Sequence, residues 1–330
     1  MGIHQLNGFL ARVPEAFATV QLSAFRNRRV VIDGNCIGYK LMHRAVTRLL
    51  QQGEAPIPLS RAVIISSWMR MWVDYLKQYL EAGVTPIMVI DGEAPDAKDS
   101  TRAEREEKGR KSKETLDEAI RNLDGSKYSR DAYTKAVKGA IFVARDEMRL
   151  AFDMISDGGV PAFIAPNEGE KYCTAICREG LAAAVDTRDT DPLAMGCPVM
   201  ITDVLGHQVK IVRLAEALAG LECNQDFFTD LCIMGGCDFN KNIPGIRLIK
   251  AFPLLKKAGS IEGLSVLQDV SMLNYEECRE LFAYVPSGLD EEDMSFTRDL
   301  GPSTIYAMET FQLRHLVDSC SPAQSGELVF

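Results

Sequence analysis

Two pairs of acids, each separated by a single residue, sit close together in the chain: Glu168/Glu170 and Asp189/Asp191, within the stretch Pro166 to Asp191. A helix-like segment and a short apolar strand separate them. Carboxylates gathered within a few ångströms repel one another, so their convergence calls for protonation of some or for a cation among them. Oxygen-only donors favour Mg²⁺ or Mn²⁺ over zinc. The spacing therefore points to a carboxylate cage for divalent metal. Three single acids share its grammar. Asp33 closes the run Val30-Val31-Ile32, Asp91 closes Pro86-Ile87-Met88-Val89-Ile90, and Asp238 follows Gly236-Cys237. Any one of them alone is ordinarily a capping or solvated acid.

The elements that must position these acids read as alternating strands and helices. The two apolar runs ending in Asp-Gly are buried parallel strands with a helical stretch between them, a βαβ-type unit. In open α/β sheets the ligand site lies beyond the carboxyl ends of the strands, where both acids would project. Residues 1 to 29 carry mixed helical patterning. A long helix is expected from about Ser60 to Ala82, with an apolar stripe that includes Trp68, Trp72, Tyr75 and Tyr79 and reads as core. Further strands are expected over 160–165, 181–185, 198–202 and 209–212, and a helix over 227–235. Asn167 with Glu170 three residues on makes a capping-box pattern, an ordinary reason for Glu170 that is compatible with ligation but makes it weaker as independent evidence. The fold class expected is α/β, a mostly parallel sheet flanked by helices.

Composition sets the outer limits. The 330 residues are 46% hydrophobic and 25% charged, ordinary for a globular protein. No apolar run is long enough for a membrane span, and the first ten residues lack a signal-peptide pattern, so an intracellular protein is expected. Leu6 breaks a myristoylation pattern. Nine cysteines without a CxxC pair read as reduced thiols packed as small apolar groups. The net charge of −9 looks wrong for a nucleic-acid binder, but from Glu276 onward eleven acids face three bases, so the remainder is close to neutral.

Basic residues gather where few apolar residues are found. Between Lys98 and Lys113 seven bases (Lys98, Arg102, Arg105, Lys108, Arg110, Lys111, Lys113) stand against four acids, and Lys98, Arg102 and Arg105 fall at helical spacing. Lys135 and Lys138 share a face further on. A solvated helix surface is the ordinary reading; beside a metal cage, the same residues suit an element that tracks phosphates. Asn242-Ile243-Pro244-Gly245-Ile246 looks like a helix–hairpin–helix turn, whose exposed N–H groups can hold a phosphate.

Taken together, MGI at the start, VVIDGNCIGY, PIMVIDGEAP, APNEGEKYCTAI, AAVDTRDTDPLAMG and LCIMGGCDFNKNIPGI resemble the flap endonuclease family, the structure-specific 5′ nucleases of the XPG superfamily. The resemblance runs from residue 1 to about 258, and acids fill all seven of the family's acidic positions. It implies a PIN-like, resolvase-like sheet with a helical arch and a helix–hairpin–helix-type DNA-binding element. The domains implied are a 5′ nuclease core over 1–275 (N-region 1–95, arch 96–140, I-region with the hairpin 141–275) and an acidic, loop-rich extension over 276–330. It implies that Asp33, Asp91, Glu168, Glu170, Asp189, Asp191 and Asp238 hold two Mg²⁺ ions about 3.5–4 Å apart, with Mn²⁺ able to substitute. Lys98 and Arg105 match the family's basic catalytic residues, cations that bind the scissile phosphate and stabilise its developing charge. Tyr39 matches an aromatic that stacks on a base. Gly2 is placed near the metals and DNA. Arg102, Lys108, Lys135, Lys138, Gly245, Ile246 and Arg247 complete the expected DNA contacts, with K⁺ at the hairpin.

The activity implied is metal-dependent hydrolysis of DNA at 5′ flaps or junctions, with some 5′→3′ exonuclease action, leaving a 5′-phosphate and a 3′-hydroxyl. Replication, repair and recombination are the settings implied, in a nucleus or, for the compact relatives that large DNA viruses carry, at a viral replication site. A monomer is expected. A mainly exonucleolytic or junction-cutting relative, an RNA-directed nuclease and an inactive DNA-binding scaffold are the alternatives. Three departures stand out: Arg247 replaces the second hairpin glycine, the C-terminal tail is acidic rather than basic, and no sliding-clamp-binding box is found.

Overall fold

In the computed structural model the residues described are 2–53, 56–92, 99–283 and 300–319. Seven strands form one mixed sheet: β1 Phe17–Gln21, β2 Arg29–Asp33, β3 Thr85–Ile90, β4 Ala162–Ile164, β5 Ala184–Asp186, β6 Val199–Leu205 and β7 Gln208–Arg213. Their order across the sheet is β1-β7-β6-β5-β2-β3-β4. β2 lies between β3 and β5 and is parallel to both, and β5 is parallel to β6. The β6–β7 hairpin is antiparallel, and β7 pairs antiparallel with β1.

The helices are α1 Leu6–Leu10, α2 Gly34–Gln52, α3 Arg61–Glu81, α4 Asp99–Arg121, α5 Lys127–Gly139, α6 Arg145–Asp157, α7 Gly169–Arg178, α8 Asp191–Ala194, α9 Leu214–Gly220, α10 Gln225–Gly235, α11 Leu248–Ala258, α12 Ile261–Ser265 and α13 Tyr275–Ala283. A last helix spans Pro302–Ser319. The chain divides into two compact units, each assembled from three separated stretches. One holds residues 1–36, 81–98 and 163–297, and the other holds 37–80, 99–162 and 298–330.

The first unit contains the sheet. Val31, Ile87, Val89 and Val185 point to one side, where Tyr172, Cys173, Ile176 and Cys177 of α7 cover them. These strands carry almost unbroken β-branched and aliphatic residues, as strands buried on both faces require. A second core gathers Leu6, Phe9 and Leu10 of α1, Met200 and Val212, and the apolar faces of α10 to α13. The second unit is helical. Trp68, Trp72, Tyr75 and Tyr79 of α3 are fully buried and meet edge-on or tilted, with centroids 5.8–6.4 Å apart. Trp68 Nε1 donates to the Gly38 carbonyl at 2.8 Å, giving the indole a polar partner inside this core.

Two elements of secondary structure differ from the sequence expectations. Residues 17–21 form an edge strand instead of continuing the helical patterning. Their alternation is only half-buried, and the hydrogen bonds to β7 decide their conformation. After residue 275 the chain forms α13 and the last helix rather than loop alone.

Candidate metal and phosphodiester site

Parallel pairing of β2, β3 and β5 sends their carboxyl ends to the same edge of the sheet. Asp33 is the last residue of β2, Asp91 follows β3, and the loop after β5 carries Asp189 before Asp191 opens α8. Each Asp-Gly pair has a steric reason. A Cβ on Gly34 would come within 2.7 Å of the Val89 carbonyl oxygen, and one on Gly92 within 2.0 Å of the Ala165 carbonyl oxygen. The glycines let the chain turn away directly behind each acid. Gly92 N–H then donates to the Asn167 carbonyl at 2.8 Å, which ties Asp91 to the start of α7.

Three carboxylates converge. Glu170, Asp189 and Asp191 each offer an oxygen within 4.8 Å of the others, and Asp189 and Asp191 are buried. Asp189 Oδ1 accepts from the Asp191 backbone N–H at 3.2 Å. Asp33 stands alongside and is held by a relay: Asp189 N–H donates to Thr187 Oγ1 at 3.1 Å, and Thr187 donates to Asp33 Oδ2 at 2.8 Å. Asp33 Oδ1 accepts from the Cys36 N–H at 3.0 Å. Burial, then the field of Asp91, and further the field of Asp189 push the Asp33 carboxyl up to about 7, against the lowering effect of the Cys36 and Thr187 hydrogen bonds. A cation among these groups would lift that penalty.

Asp91 reaches the start of α7, where Oδ1 accepts from Gly169 N–H at 2.7 Å. Its own N–H donates to Asn35 Oδ1 at 2.9 Å. Glu168 takes the N-cap position of α7. The capping box expected from Asn167 and Glu170 is therefore not formed; the helix starts one residue later than that pattern requires. Glu168 lies outside the three-acid set and pairs with Lys171 instead, Nζ to Oε2 at 3.0 Å. Asp238 sits half-buried in a turn after α10, which Asn240 shapes by accepting from Cys237 N–H at 3.0 Å and donating to the Ile233 carbonyl at 2.9 Å.

The N-terminus completes this edge. Gly2 is buried with φ of +79°, and a Cβ there would lie 2.0 Å from Asp189 Oδ1. Thr190 Oγ1 donates to the Ile3 carbonyl, and His4 N–H donates to the Gly236 carbonyl at 3.1 Å. The first residues thus run from the acidic loop to the turn that carries Asp238. An all-oxygen donor set, backed by a glycine that leaves no room for a side chain, suits a hard divalent cation.

At the hairpin, Gly245 has φ of +75° with open space around it, so its conformation rather than crowding calls for glycine. Ile246 N–H donates to the Ile243 carbonyl at 2.9 Å, and Asn242 Nδ2 donates to the Ile246 carbonyl at 3.0 Å. Arg247 is exposed at the N-cap of α11 with φ of −126°, extended backbone that any residue adopts, so it fits without distorting the turn.

The remaining candidates fall in the helical unit or outside the described residues. Lys98 lies outside them. Arg102 and Arg105 lie on α4, where only the backbone is described. Lys108 on α4 and Lys135 on α5 are exposed, and Lys138 is half-buried. Tyr39 on α2 is 42% exposed and meets His43 edge-on, with centroids 5.2 Å apart. Asn35, Thr187 and Lys171 escaped the sequence reading. Asn35 and Thr187 follow the predicted strands by one or two residues, which was a usable signal. Nothing in the pattern marked Lys171.

The XPG N-terminal domain matches residues 1–113 and the XPG I-region matches residues 159–238. The chain is 31% identical over 281 residues to flap endonuclease 1 of Ostreococcus lucimarinus, covering 83% of this chain and 69% of that protein. It is 29% identical over 286 residues to flap endonuclease 1 of Babesia bovis, of which it spans only 41%. Among solved structures, the catalytic core of Rad2 in complex with a DNA substrate aligns with a TM-score of 0.64 at 15% identity, over 96% of this chain and 95% of that one. Flap endonuclease-1 from Methanococcus jannaschii aligns with a TM-score of 0.56 at 23% identity, over 92% and 97%. At these identities the structural matches establish the fold.

Proposed function

The chain belongs to the flap endonuclease family of XPG nucleases, and on that premise we propose that it is a Mg²⁺-dependent 5′ flap endonuclease with some 5′→3′ exonuclease activity. The observation that carries this reading is the convergence of Glu170, Asp189 and Asp191 at the carboxyl edge of the sheet, beside Asp33, whose carboxyl is pushed up by burial and then by the neighbouring acids. Solved relatives that hold DNA substrate or Holliday junction DNA support a nucleic-acid substrate. The acids that set the net charge are concentrated from Glu276 onward, and the near-neutral residues before them, which hold both family matches, fit a DNA-binding part.

Glu170, Asp189 and Asp191 would hold metal directly, with Asp33, Asp91, Glu168 and Asp238 completing the two-ion site from the surrounding loops. Bound there, a divalent metal would supply Lewis-acid charge for a phosphodiester and lower the pKa of a water. The chain's own groups do the rest. Thr187 holds Asp33 in place, and Gly2 keeps the face of Asp189 clear. Lys98 and Arg105 bind the scissile phosphate and offset its developing charge. Arg102, Lys108, Lys135 and Lys138 track the phosphates of the single strand, and Tyr39 stacks on a base. Gly245, Ile246 and Arg247, with K⁺, grip the duplex backbone. No covalent intermediate is needed, and the products are a 5′-phosphate and a 3′-hydroxyl.

Cleavage of an end-labelled double-flap DNA, with Mg²⁺ and with chelator, tests this. One metal-dependent cut at or next to the flap junction is expected. Asp189→Asn is expected to lower the rate by at least about 10²-fold with DNA binding retained. A ladder stepping in from the 5′ end would make the enzyme chiefly an exonuclease. Full cleavage by Asp189→Asn would overturn the assigned site.

A further inference from the structure

Lys171 is a lysine with its side chain only 5% exposed, one residue after Glu170 on the first turn of α7. Fully buried lysines are rare unless they are paired. Its Nζ lies 3.0 Å from Glu168 Oε2, in a pairing that is ionic rather than a well-aligned hydrogen bond. The same ammonium lies 5.0 Å from the centroid of Phe239, the residue after Asp238. It therefore joins two acid-bearing segments, the start of α7 and the turn after α10. Glu168, the acid it engages, stands outside the set of three whose oxygens converge.

We propose that Lys171 is a positioning residue, a fixed internal counter-cation that occupies Glu168 and thereby weakens divalent-metal binding at the neighbouring carboxylates. The proposal rests on the reading of that cluster as a metal site. Its physical basis is twofold. A positive charge held in a poorly solvated site opposes a second cation nearby. It also competes with metal for Glu168, so ligation by that carboxylate has to displace the ion pair. In the metal-free protein the same charge offsets repulsion among the acids, so the site can form before metal arrives. The ring of Phe239 fixes the ammonium through its face, which limits its freedom to swing toward solvent.

The test is a Mn²⁺ titration of the full chain without DNA at pH 8, reading free Mn²⁺ by electron paramagnetic resonance, on wild type, Lys171→Met, Lys171→Gln and Lys171→Arg. Removal of the charge is expected to tighten Mn²⁺ binding by about three- to tenfold, in Met and Gln alike. Lys171→Arg is expected to stay near wild type. The Mn²⁺-induced rise in melting temperature should be larger in Met and Gln than in wild type, because a ligand held more tightly stabilises the fold more. Unchanged or weaker binding in Gln, which keeps much of the side chain's length, would overturn the proposal, as would Arg behaving like Met. Absence of Mn²⁺ binding by the wild type would instead remove the metal-site reading itself.

Discussion

At the scale of single residues, the site depends on what is missing as much as on what is charged. The carboxylates are the candidate donors, and Gly2, Gly34 and Gly92 leave the space in which the chain turns behind and beside them. Gly2 is the sharpest case. Its positive φ is disfavoured for any L side chain, and a methyl group would sit within 2.0 Å of Asp189 Oδ1. Gly2→Ala is therefore expected to lower the cleavage rate at least about tenfold while the thermal midpoint shifts by only a few degrees, because the strain falls on the acid loop rather than the core. Parallel single-turnover cleavage and thermal melts check this. An unchanged rate would show that Asp189 does not need the position it holds here.

At the scale of elements, an ion-pair cluster clamps α10, α12 and α13 together. Arg279 on α13 donates from Nε and Nη2 to both oxygens of Asp230 on α10, each at 2.7 Å, and also reaches Glu262 on α12. Asp230 is only 6% exposed, so removing its partner would strand a buried charge. Arg279→Met is expected to cost about 3 kcal/mol of stability. Glu262→Gln, at a half-exposed carboxylate, should cost under about 1 kcal/mol. Urea unfolding of both variants measures the contrast, and equal costs would show that the burial of Asp230 does not matter. The Arg279 guanidinium holds the Glu262 carboxyl down at about 2, below its ordinary 4.5. That depressed pKa contributes stability above about pH 4.5, and the contribution is lost as pH falls toward 2.

At the scale of the whole molecule, charge is segregated along the chain. Eleven of the acids lie from Glu276 onward, while exposed bases occupy α4 and α5. Lys135 and Lys138 lie three residues apart on α5, so one phosphate path could engage both. The double substitution Lys135→Ala/Lys138→Ala is expected to weaken binding of flap DNA regardless of sequence and to flatten the slope of log affinity against log salt by nearly 2. Fluorescence anisotropy across a salt series reads this directly. An unaltered slope would take α5 off the DNA path.

What was legible from the sequence alone was whatever repeats locally. Strands ending in Asp-Gly declare themselves through short continuous apolar runs and a glycine behind each acid, and the long α3 shows its buried face through apolar residues at three- and four-residue spacing. The seven acids were visible as types and spacings, and the hairpin as Pro-Gly punctuation. What only the tertiary structure decided is which groups meet. β1 became a strand because β7 supplied its hydrogen bonds, although the patterning of residues 1–29 reads as mixed helical. Glu170, Asp189 and Asp191 converge while Glu168 turns to Lys171, a choice that depends on packing between α7 and the turn bearing Phe239. The Asp33 carboxyl is pushed up because its burial and its neighbours come from segments far apart in the chain. Local pattern reports each residue's own preference, whereas the field at a buried charge and the partner of a buried lysine are set by segments that meet only in the folded protein.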